Sequence, residues 1–244
     1  MKIIGIIPAR FASTRFPGKP LADIKGKPMI IRVYEQAVKS KKLDHVIVAT
    51  DDKRIFDTLK KHKGNVIMTS PKHKTGTERC HEVVEKLSKQ KQYFDVAINI
   101  QGDEPFIQPE QIDTVADHFE EEDIQIATLA KVISDESELH DPNVVKVVRG
   151  VDRHALYFSR SAIPFHRVNN GKKPQYLKHI GIYAYQVHIL KEITALEPTP
   201  LELLESLEQL RWLENGYQIN VKLTDFESIG VDTPEDLEKL INKI

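Results

Sequence analysis

Residues 3–20 read IIGIIPARFASTRFPGKP, a short apolar run followed by a loop rich in cationic and small residues. The apolar part, residues 3–7, consists mainly of β-branched isoleucine, which favours an extended strand. No polar residue alternates within it, and such continuity is typical of a strand that is covered on both faces of a parallel sheet. The stretch therefore predicts the first strand of an α/β sheet, with a functional loop at its carboxyl end.

Three more apolar runs of the same kind follow, at residues 45–50, 66–69 and 96–100. Between these runs, apolar residues recur at helical spacing, for example Met29 and Val33. Strands that alternate with helices pair in parallel through crossover connections. Residues 1–130 are therefore predicted to form a Rossmann-like, doubly wound, mostly parallel sheet.

The pattern changes in the second half of the chain, where few helical patterns separate the strands. The strands expected there are residues 126–132, 144–148, 156–158 and 180–185. We interpret residues 130–185 as an inserted antiparallel arm on a single domain that spans residues 1–244. A helix over 201–213, a strand over 219–223 and a last helix starting at Thr233-Pro234 complete the prediction, since Thr-Pro is a sound helix start.

The composition excludes several classes of protein. The net charge of the 244 residues is −1, whereas general nucleic-acid binders are usually strongly basic, so no nucleic-acid partner is expected. Cys80 is the single cysteine, which excludes an internal disulfide and fits a reducing compartment. No run approaches the ~18 apolar residues of a membrane span. We expect a cytoplasmic protein without membrane insertion.

The loop at residues 8–20 carries the cations Arg10, Arg15 and Lys19, with Ser13 and Thr14 between them. Ligands of doubly wound sheets bind beyond the carboxyl ends of the strands, where this loop is expected to lie. Arginine forks and a mobile lysine charge suit a triphosphate. The loop matches neither the dinucleotide fingerprint nor the P-loop. From charge alone, a solvated basic loop is an equal alternative.

Two aspartates are candidate metal ligands. Asp103 follows the strand at 96–100, and Asp232 precedes the last helix. Mg²⁺ takes oxygen ligands, commonly one or two carboxylates together with substrate phosphates. The alternative is that Asp103 is a turn residue and Asp232 an N-terminal helix charge. The metal hypothesis requires both aspartates to lie close together, with Arg15 and Lys19 facing them.

Further candidates and a few exclusions come from single residues. Gly76 and Thr77 could offer backbone and hydroxyl groups to a pyrimidine; alternatively, Thr75 or Thr77 could simply cap a helix. Cys80 lacks a visible activating partner and is interpreted as a small helix residue. Three histidines, His73, His81 and His188, have no metal-ligand spacing and are interpreted as structural or exposed.

Several blocks of sequence together resemble one family. They begin with Pro8-Ala9-Arg10, Ser13-Thr14-Arg15 and Pro17-Gly18-Lys19, and continue with Gly76-Thr77-Glu78-Arg79, Gln101-Gly102-Asp103-Glu104-Pro105, Tyr157-Phe158-Ser159-Arg160, His179-Ile180-Gly181-Ile182-Tyr183, Glu208-Gln209-Leu210-Arg211 and Gly230-Val231-Asp232-Thr233-Pro234. In this order the blocks resemble the CMP-sugar synthetases, and within them the CMP-KDO synthetases (KDO is 3-deoxy-manno-octulosonate). The resemblance spans essentially the whole chain.

The resemblance implies an activity and a set of site residues. The reaction would join CTP and KDO into CMP-KDO with release of pyrophosphate, which activates KDO for lipopolysaccharide synthesis. Asp103 and Asp232 would hold Mg²⁺, and Lys19, Arg15 and Asp103 would be catalytic. The nucleotide would be bound by Pro8, Ala9, Arg10, Ser13, Thr14, Arg15, Lys19, Gly76, Thr77, Arg79 and Gln101. The sugar would be bound by Gln101, Arg160, His179, Tyr183, Glu205 and Gln209. The resemblance further implies a homodimer formed through the arm.

Three other functions stay open. The first is a cytidylyltransferase for another acid sugar, such as 8-amino-KDO or a sialic acid. The second is a metal-dependent glycosyltransferase, although that class typically carries Asp-x-Asp where this chain has Asp103-Glu104-Pro105. The third is a nucleotide-binding module without catalytic activity. Pyrophosphate release would separate the first from the other two.

Overall fold

A mixed β-sheet with helices on both faces forms the body of the protein. The computed structural model describes residues 1–12, 15–120, 124–167 and 174–243. The strands are β1 (Ile3–Ala9), β2 (Asp23–Ile24), β3 (Lys27–Pro28), β4 (His45–Thr50), β5 (Val66–Met68), β6 (Val96–Asn99), β7 (Ile126–Val132), β8 (Lys146–Arg149), β9 (Ala155–Ser159), β10 (Leu177–Gln186) and β11 (Ile219–Leu223). The helices are α1 (Met29–Ala37), α2 (Lys53–Lys61), α3 (Gly76–Lys89), α4 (Pro109–Ala116), α5 (Glu136–His140), α6 (Val187–Ile193), α7 (Pro200–Glu205), α8 (Glu208–Glu214) and α9 (Pro234–Lys243).

The strand order of the sheet places several loops at one edge. The order is β11-β7-β10-β6-β1-β4-β5, and β8 pairs with both β10 and β9. β1 is parallel to β4 and β6, so that Ile6 lies opposite Ile47 on one side and Asn99 on the other. The carboxyl ends of these strands therefore lie side by side. The predicted α/β, mostly parallel fold is confirmed.

β1 shows why its residues are continuously apolar. Ile3 and Ile7 belong to the core cluster that includes residues of α1 and α2. Ile4 and Ile6 point the other way, into a second core with residues of α3 and α8. Since successive side chains of a strand face opposite sides, a strand covered by helices on both sides needs apolar residues throughout.

Residues 130–185 contain the expected antiparallel pairing, but much of it lies inside the main sheet. β10 runs antiparallel to β6 and β7, with Tyr183 opposite Asn99. β8 and β9 form an antiparallel ribbon that joins the sheet through Lys178 of β10 and Lys146 of β8. The part that stands apart from the parallel layer is therefore the β8–β9 ribbon together with α5.

The predicted single helix over 201–213 is wrong, because the structure has two helices. α7 ends at Ser206, whose φ of 53° lies in the left-handed region and cannot continue a right-handed helix. The break turns Leu207 and Leu210 into the core while Leu203 and Leu204 stay exposed. A continuous helix would not place all four leucines in this way.

Among the described residues, no helix is long and apolar enough to cross a membrane.

Candidate active site

The loop after β1 turns sharply before its lysine. Gly18 has a φ of 75°, which glycine adopts without strain, and its N–H donates to the carbonyl of Phe11 at 2.9 Å. This turn closes the loop and directs Lys19 towards the carboxyl ends of the strands. Ser13 and Thr14, which were predicted to contact the nucleotide, lie outside the described residues.

Asp103 and Asp232 lie close together, although they are 129 positions apart in the chain. The ammonium Nζ of Lys19 is 2.6 Å from Asp103 Oδ2 and 3.2 Å from Asp232 Oδ1. Arg15 Nη2 is 3.2 Å from the same Asp232 oxygen. The N–H of Val231 donates to the Asp103 carbonyl at 3.0 Å and joins the two backbone segments. The geometric condition set by the sequence is therefore met.

The two carboxylates fit a divalent cation. Their oxygens already converge on one positive charge, the Lys19 ammonium, which stands where a cation would be attracted. Carboxylate oxygen is the ligand that Mg²⁺ prefers, and two such groups leave room for substrate phosphates and water. Among the described residues, no group of three or more acidic, histidine or cysteine side chains could hold a metal by itself. A metal at this site would therefore need ligands from a substrate.

A cavity surrounds these charges, and we call it the cationic cavity. Its lining contains most of the described residues predicted to bind nucleotide, namely Pro8, Ala9, Arg10, Arg15, Lys19, Gly76, Arg79 and Gln101, together with the predicted metal ligands Asp103 and Asp232. It also contains residues that the sequence reasoning did not propose as ligands: Pro20, His73, Lys74, Thr75 and Gly102. His73, Lys74 and Thr75 directly precede the predicted Gly76-Thr77 segment, and this adjacency is the signal that could have identified them.

The loop that carries His73 is held by two glutamates of α3. The ring Nε2 of His73 hydrogen-bonds to Glu82, whose carboxylate also accepts the N–H of Ser70 at 2.8 Å. Glu78 accepts the N–H of Lys74 at 2.7 Å. Thr75 caps α3 by accepting the N–H of Glu78 at 3.1 Å. Thr75 is therefore the residue that caps α3, whereas Thr77 lies within the first turn of the helix.

Arg79 lies at the wall of the cationic cavity, but other protein groups occupy its guanidinium. Nη2 is 2.9 Å from Asp51 Oδ2, and Nη1 donates to Thr69 Oγ1. The side chain is almost fully buried. A buried arginine requires such partners, because an unpaired charge is costly away from water. Arg79 thus joins α3 to the ends of β4 and β5.

A second cavity adjoins the first, and we call it the aromatic cavity. The two share Pro8, Gly76 and Gln101 in their linings. The aromatic cavity is lined further by Thr77, Asn99, Val145, His179, Gly181, Tyr183, Tyr185, Leu207, Glu208, Gln209 and Trp212. Gln101 donates its amide N–H to the Gly181 carbonyl at 2.7 Å, which fixes this side chain at the junction of the two cavities.

The aromatic cavity is walled by aromatic side chains whose polar atoms are deeply buried. These are the hydroxyls of Tyr183 and Tyr185 and the indole Nε1 of Trp212. The Trp212 ring meets both tyrosine rings edge to face, at centroid distances of 5.2 and 5.5 Å. The hydroxyls of Thr128 and Thr77 are polar neighbours of Tyr183 and Tyr185, respectively. The indole N–H of Trp212 has no hydrogen-bond partner among the described residues, which is unusual for a buried donor.

Glu208 is a carboxylate of this cavity that the sequence reasoning quoted but did not assign. It accepts the hydroxyl of Thr77 at 2.8 Å, and burial raises the pKa of Glu208. Thr77 was predicted to contact the base, so this bond connects the start of α3 with the wall of the aromatic cavity. The position of Glu208 directly before Gln209 was the available signal.

Four of the six predicted sugar ligands line the aromatic cavity: Gln101, His179, Tyr183 and Gln209. Arg160 and Glu205 do not line this cavity, because their side chains hydrogen-bond to groups at the end of α7 and at the end of β9, respectively. Arg160 Nε donates to the Glu205 carbonyl at 2.7 Å, and the Glu205 carboxylate accepts the hydroxyl of Ser159 at 2.6 Å. In this structure the pair fastens α7 to the end of β9.

The interpretation of Cys80 as a small helix residue agrees with the structure. Cys80 is fully buried in α3, and burial raises the pKa of its thiol. The thiol is therefore protonated and shielded.

Taken together, the fold and the two cavities define an α/β protein with a cationic, carboxylate-containing cleft at the carboxyl ends of its parallel strands.

Comparisons with known proteins agree on one family. A family model described as cytidylyltransferase matches residues 4–223. A 3-deoxy-manno-octulosonate cytidylyltransferase from Parabacteroides distasonis is 57% identical, over 99% of this chain and 97% of its own. A protein of the same name from Thermodesulfovibrio yellowstonii is 52% identical, over 98% and 96%. A solved CMP:2-keto-3-deoxy-manno-octonic acid synthetase complexed with CTP superposes with a TM-score of 0.93 at 42% identity, over 100% of this chain and 98% of that one.

The chain belongs to the cytidylyltransferase family, and within it to the 3-deoxy-manno-octulosonate cytidylyltransferases. The resemblance inferred from the sequence blocks is therefore confirmed.

Proposed function

We propose that this protein transfers the CMP group of CTP to KDO and releases pyrophosphate. The names of the relatives support this reaction, and so does the solved relative with bound CTP. The observation that carries the proposal is the junction of the two cavities. A cationic cavity that suits a triphosphate meets an aromatic cavity whose lining includes polar side chains that suit a hydroxylated sugar, and Gln101 stands between them.

The reaction requires an in-line displacement at the α-phosphorus. An oxygen of the acceptor sugar forms a new bond to this phosphorus while the bond to the β-phosphate oxygen breaks. Pyrophosphate leaves with the bonding electrons, and the hydroxyl proton passes to solvent. Because little covalent chemistry falls to the protein, positioning and neutralisation of charge supply the acceleration.

The residues of the cleft divide these tasks. Arg10, Arg15 and Lys19 attract and orient the phosphates, with Lys19 moving from the aspartates to a phosphate oxygen. Asp103 and Asp232 would hold Mg²⁺, which would neutralise the triphosphate and lower the pKa of the acceptor hydroxyl. Gln101, His179, Tyr183, Glu208 and Gln209 offer hydrogen bonds to the hydroxyls and the carboxylate of the acceptor.

The test is an assay of pyrophosphate release with purified protein, CTP, Mg²⁺ and KDO, combined with mass spectrometry of the product. We expect CMP-KDO and pyrophosphate in equal amounts. Parallel reactions with 8-amino-KDO and N-acetylneuraminic acid test the alternative acceptors. Asp103→Asn serves as the inactive control, with an expected loss of turnover on the order of 100-fold or more. Full activity of this variant would refute the metal assignment, and free pyrophosphate without a CMP-sugar would refute the transfer.

A further inference from the structure

The segment that carries Asp232 has no regular secondary structure. It runs over residues 224–233, from the end of β11 to the start of α9. At its end, the N–H groups of Asp232 and Thr233 donate to Asp236 of α9 at 3.2 and 3.0 Å. The rest of its path depends on separate contacts along the segment.

Backbone and amide contacts hold the segment at intervals. Near its start, the N–H of Thr224 donates to the Ala130 carbonyl at 2.9 Å. In the middle, the buried amide of Gln111 donates to Ser228 Oγ at 3.1 Å. Near its end, the N–H of Val231 donates to Asp103 at 3.0 Å. Within residues 225–227, the N–H of Phe226 donates only to Thr224 Oγ1 of the same segment at 3.2 Å, so charged side chains connect this stretch to the main sheet.

Glu227 provides that interaction through two ion pairs. Its carboxylate is 2.5 Å from Lys178 Nζ of β10 and 2.9 Å from Lys131 Nζ of β7. Lys131 also donates to the Asp225 carbonyl at 2.9 Å. Both lysines stand on strands of the main sheet, so the pairs anchor the segment to the most rigid part of the fold.

The ion pairs of Lys178 are well shielded from water, because its side chain is only 9% exposed. A buried ammonium requires neutralisation, and it receives carboxylates from two different segments. Glu138 of α5 lies 2.5 Å from Lys178 Nζ on one side, and Glu227 lies at the same distance on the other. Of these two carboxylates, only Glu227 belongs to the segment that leads to Asp232.

We propose that Glu227 is a positioning residue, which acts by anchoring residues 224–233 to Lys131 and Lys178 so that Asp232 faces Asp103 across the metal site. The inference rests on the proposed function, which gives Asp232 its role as a metal ligand. Partners that orient metal ligands typically change metal affinity by roughly 10- to 100-fold when they are removed. Glu227→Gln is therefore expected to weaken metal binding while leaving the fold and the aromatic cavity unchanged.

The experiment measures Mn²⁺ binding by electron paramagnetic resonance, with CTP present and no acceptor sugar. Glu138→Gln is the matched control, since it also removes one carboxylate from Lys178 but leaves the Asp232 segment anchored. We expect Glu227→Gln to bind Mn²⁺ roughly tenfold more weakly than Glu138→Gln. Metal-free CTP binding and the melting temperature should be similar in the two variants.

Equal Mn²⁺ affinity in the two variants would overturn the inference alone, provided that the wild type binds Mn²⁺ and Asp103→Asn does not. Absence of Mn²⁺ binding in the wild type would instead overturn the metal role on which the inference rests. If Glu227→Gln does not fold, Lys131→Gln replaces it. This variant removes the contacts to Asp225 and Glu227 but keeps the pair between Glu227 and Lys178. It is expected to shift Mn²⁺ affinity in the same direction, and wild-type affinity in Lys131→Gln would count against the inference.

Discussion

Lys19 shows how one residue organises the cleft before any substrate binds. Two carboxylates close enough to share a metal repel each other, and the repulsion grows where water is partly excluded. The Lys19 ammonium lies between Asp103 and Asp232 and removes this repulsion. The same flexible side chain can then reach a phosphate, since lysine carries a point charge on a mobile stem.

Lys19→Ala is therefore expected to lose both functions. Turnover should fall on the order of 100-fold, because a charge that neutralises the phosphates is missing. The melting temperature should change little, since the side chain lies in the cleft rather than in either apolar core. Steady-state assays of pyrophosphate release and a thermal melt check both statements. Lys53→Ala, which removes a lysine from an exposed pair with Asp57, is the matched control and should keep full turnover.

His179 gives the fold a dependence on pH. It is half-buried in the wall of the aromatic cavity, and burial lowers its pKa from 6.5 to about 3. The Thr128 hydroxyl donates its proton to the Ile182 carbonyl at 2.7 Å, so its oxygen is free to accept a hydrogen bond. The neutral His179 ring therefore donates from Nε2 to Thr128 Oγ1. Protonation of His179 is therefore easier in the unfolded chain than in the folded one.

The sign of the effect follows from that difference. Stability due to the neutral ring is complete above pH 6.5 and is lost as the pH falls towards 3. Between pH 7 and 5 we expect a loss of about 1–2 kcal/mol, which allows for water in the cavity. His179→Gln keeps a donor to Thr128 but cannot titrate, so its unfolding free energy should not show this loss. Urea unfolding at several pH values measures the difference, and parallel curves for the two proteins would contradict the prediction.

At the scale of elements, the cleft depends on how closely the loops after β1 and β6 approach each other. Gly102 lies between Gln101 and Asp103, and a Cβ atom added to it would come within 2.6 Å of the Pro8 carbonyl oxygen. Gly102→Ala must therefore push the two loops apart. We expect a loss of about 1–3 kcal/mol in unfolding free energy, as for other overpacked sites, together with a loss of turnover.

Gly230→Ala is the matched control for this prediction. A Cβ atom at Gly230 would meet no atom within 4 Å, so the substitution should change the unfolding free energy by less than roughly 0.5 kcal/mol. Urea unfolding and the pyrophosphate assay compare the two variants. Equal stability of both would show that the two loops can separate without cost.

Elements with strong local patterns could be predicted from the sequence, and elements defined by distant partners could not. β1 and β4 were predicted because their apolar runs reflect burial on both faces. The central position of β10 depends on its pairing with β6, about 80 residues earlier in the chain, and local pattern carries no such information. The break at Ser206 has no glycine or proline to mark it.

The candidate site shows the same division. Residues with charged side chains in one loop, such as Arg15 and Lys19, were recognisable from local sequence. The contribution of Glu208 and Trp212 depends on α8 folding against β10, which places their side chains beside Tyr183. Arg160 carries the right chemistry for a sugar carboxylate, but the structure uses its guanidinium to hold α7. Chemistry alone does not reveal which partner a side chain will find.

At the scale of the whole molecule, several large apolar side chains in the second half of the chain are exposed. Leu156 on β9 is 63% exposed, Phe165 beyond it is 86% exposed, and Leu204 on α7 is 81% exposed. β9 and α7 are fastened together by the hydrogen bond from Ser159 to Glu205, so Leu156 and Leu204 lie on neighbouring elements. Clustered apolar residues on a surface commonly mark an interface with another protein chain.

We therefore predict that two copies of this chain associate through the β9–α7 surface. Leu156→Lys combined with Leu204→Glu should convert a dimer into a monomer, because charged side chains resist burial in an apolar interface. Tyr93→Lys changes an equally exposed side chain elsewhere and should leave the assembly intact. Size-exclusion chromatography with light scattering gives the mass directly. A wild-type mass of one chain, or a dimer that survives the double substitution, would place the interface elsewhere or remove it.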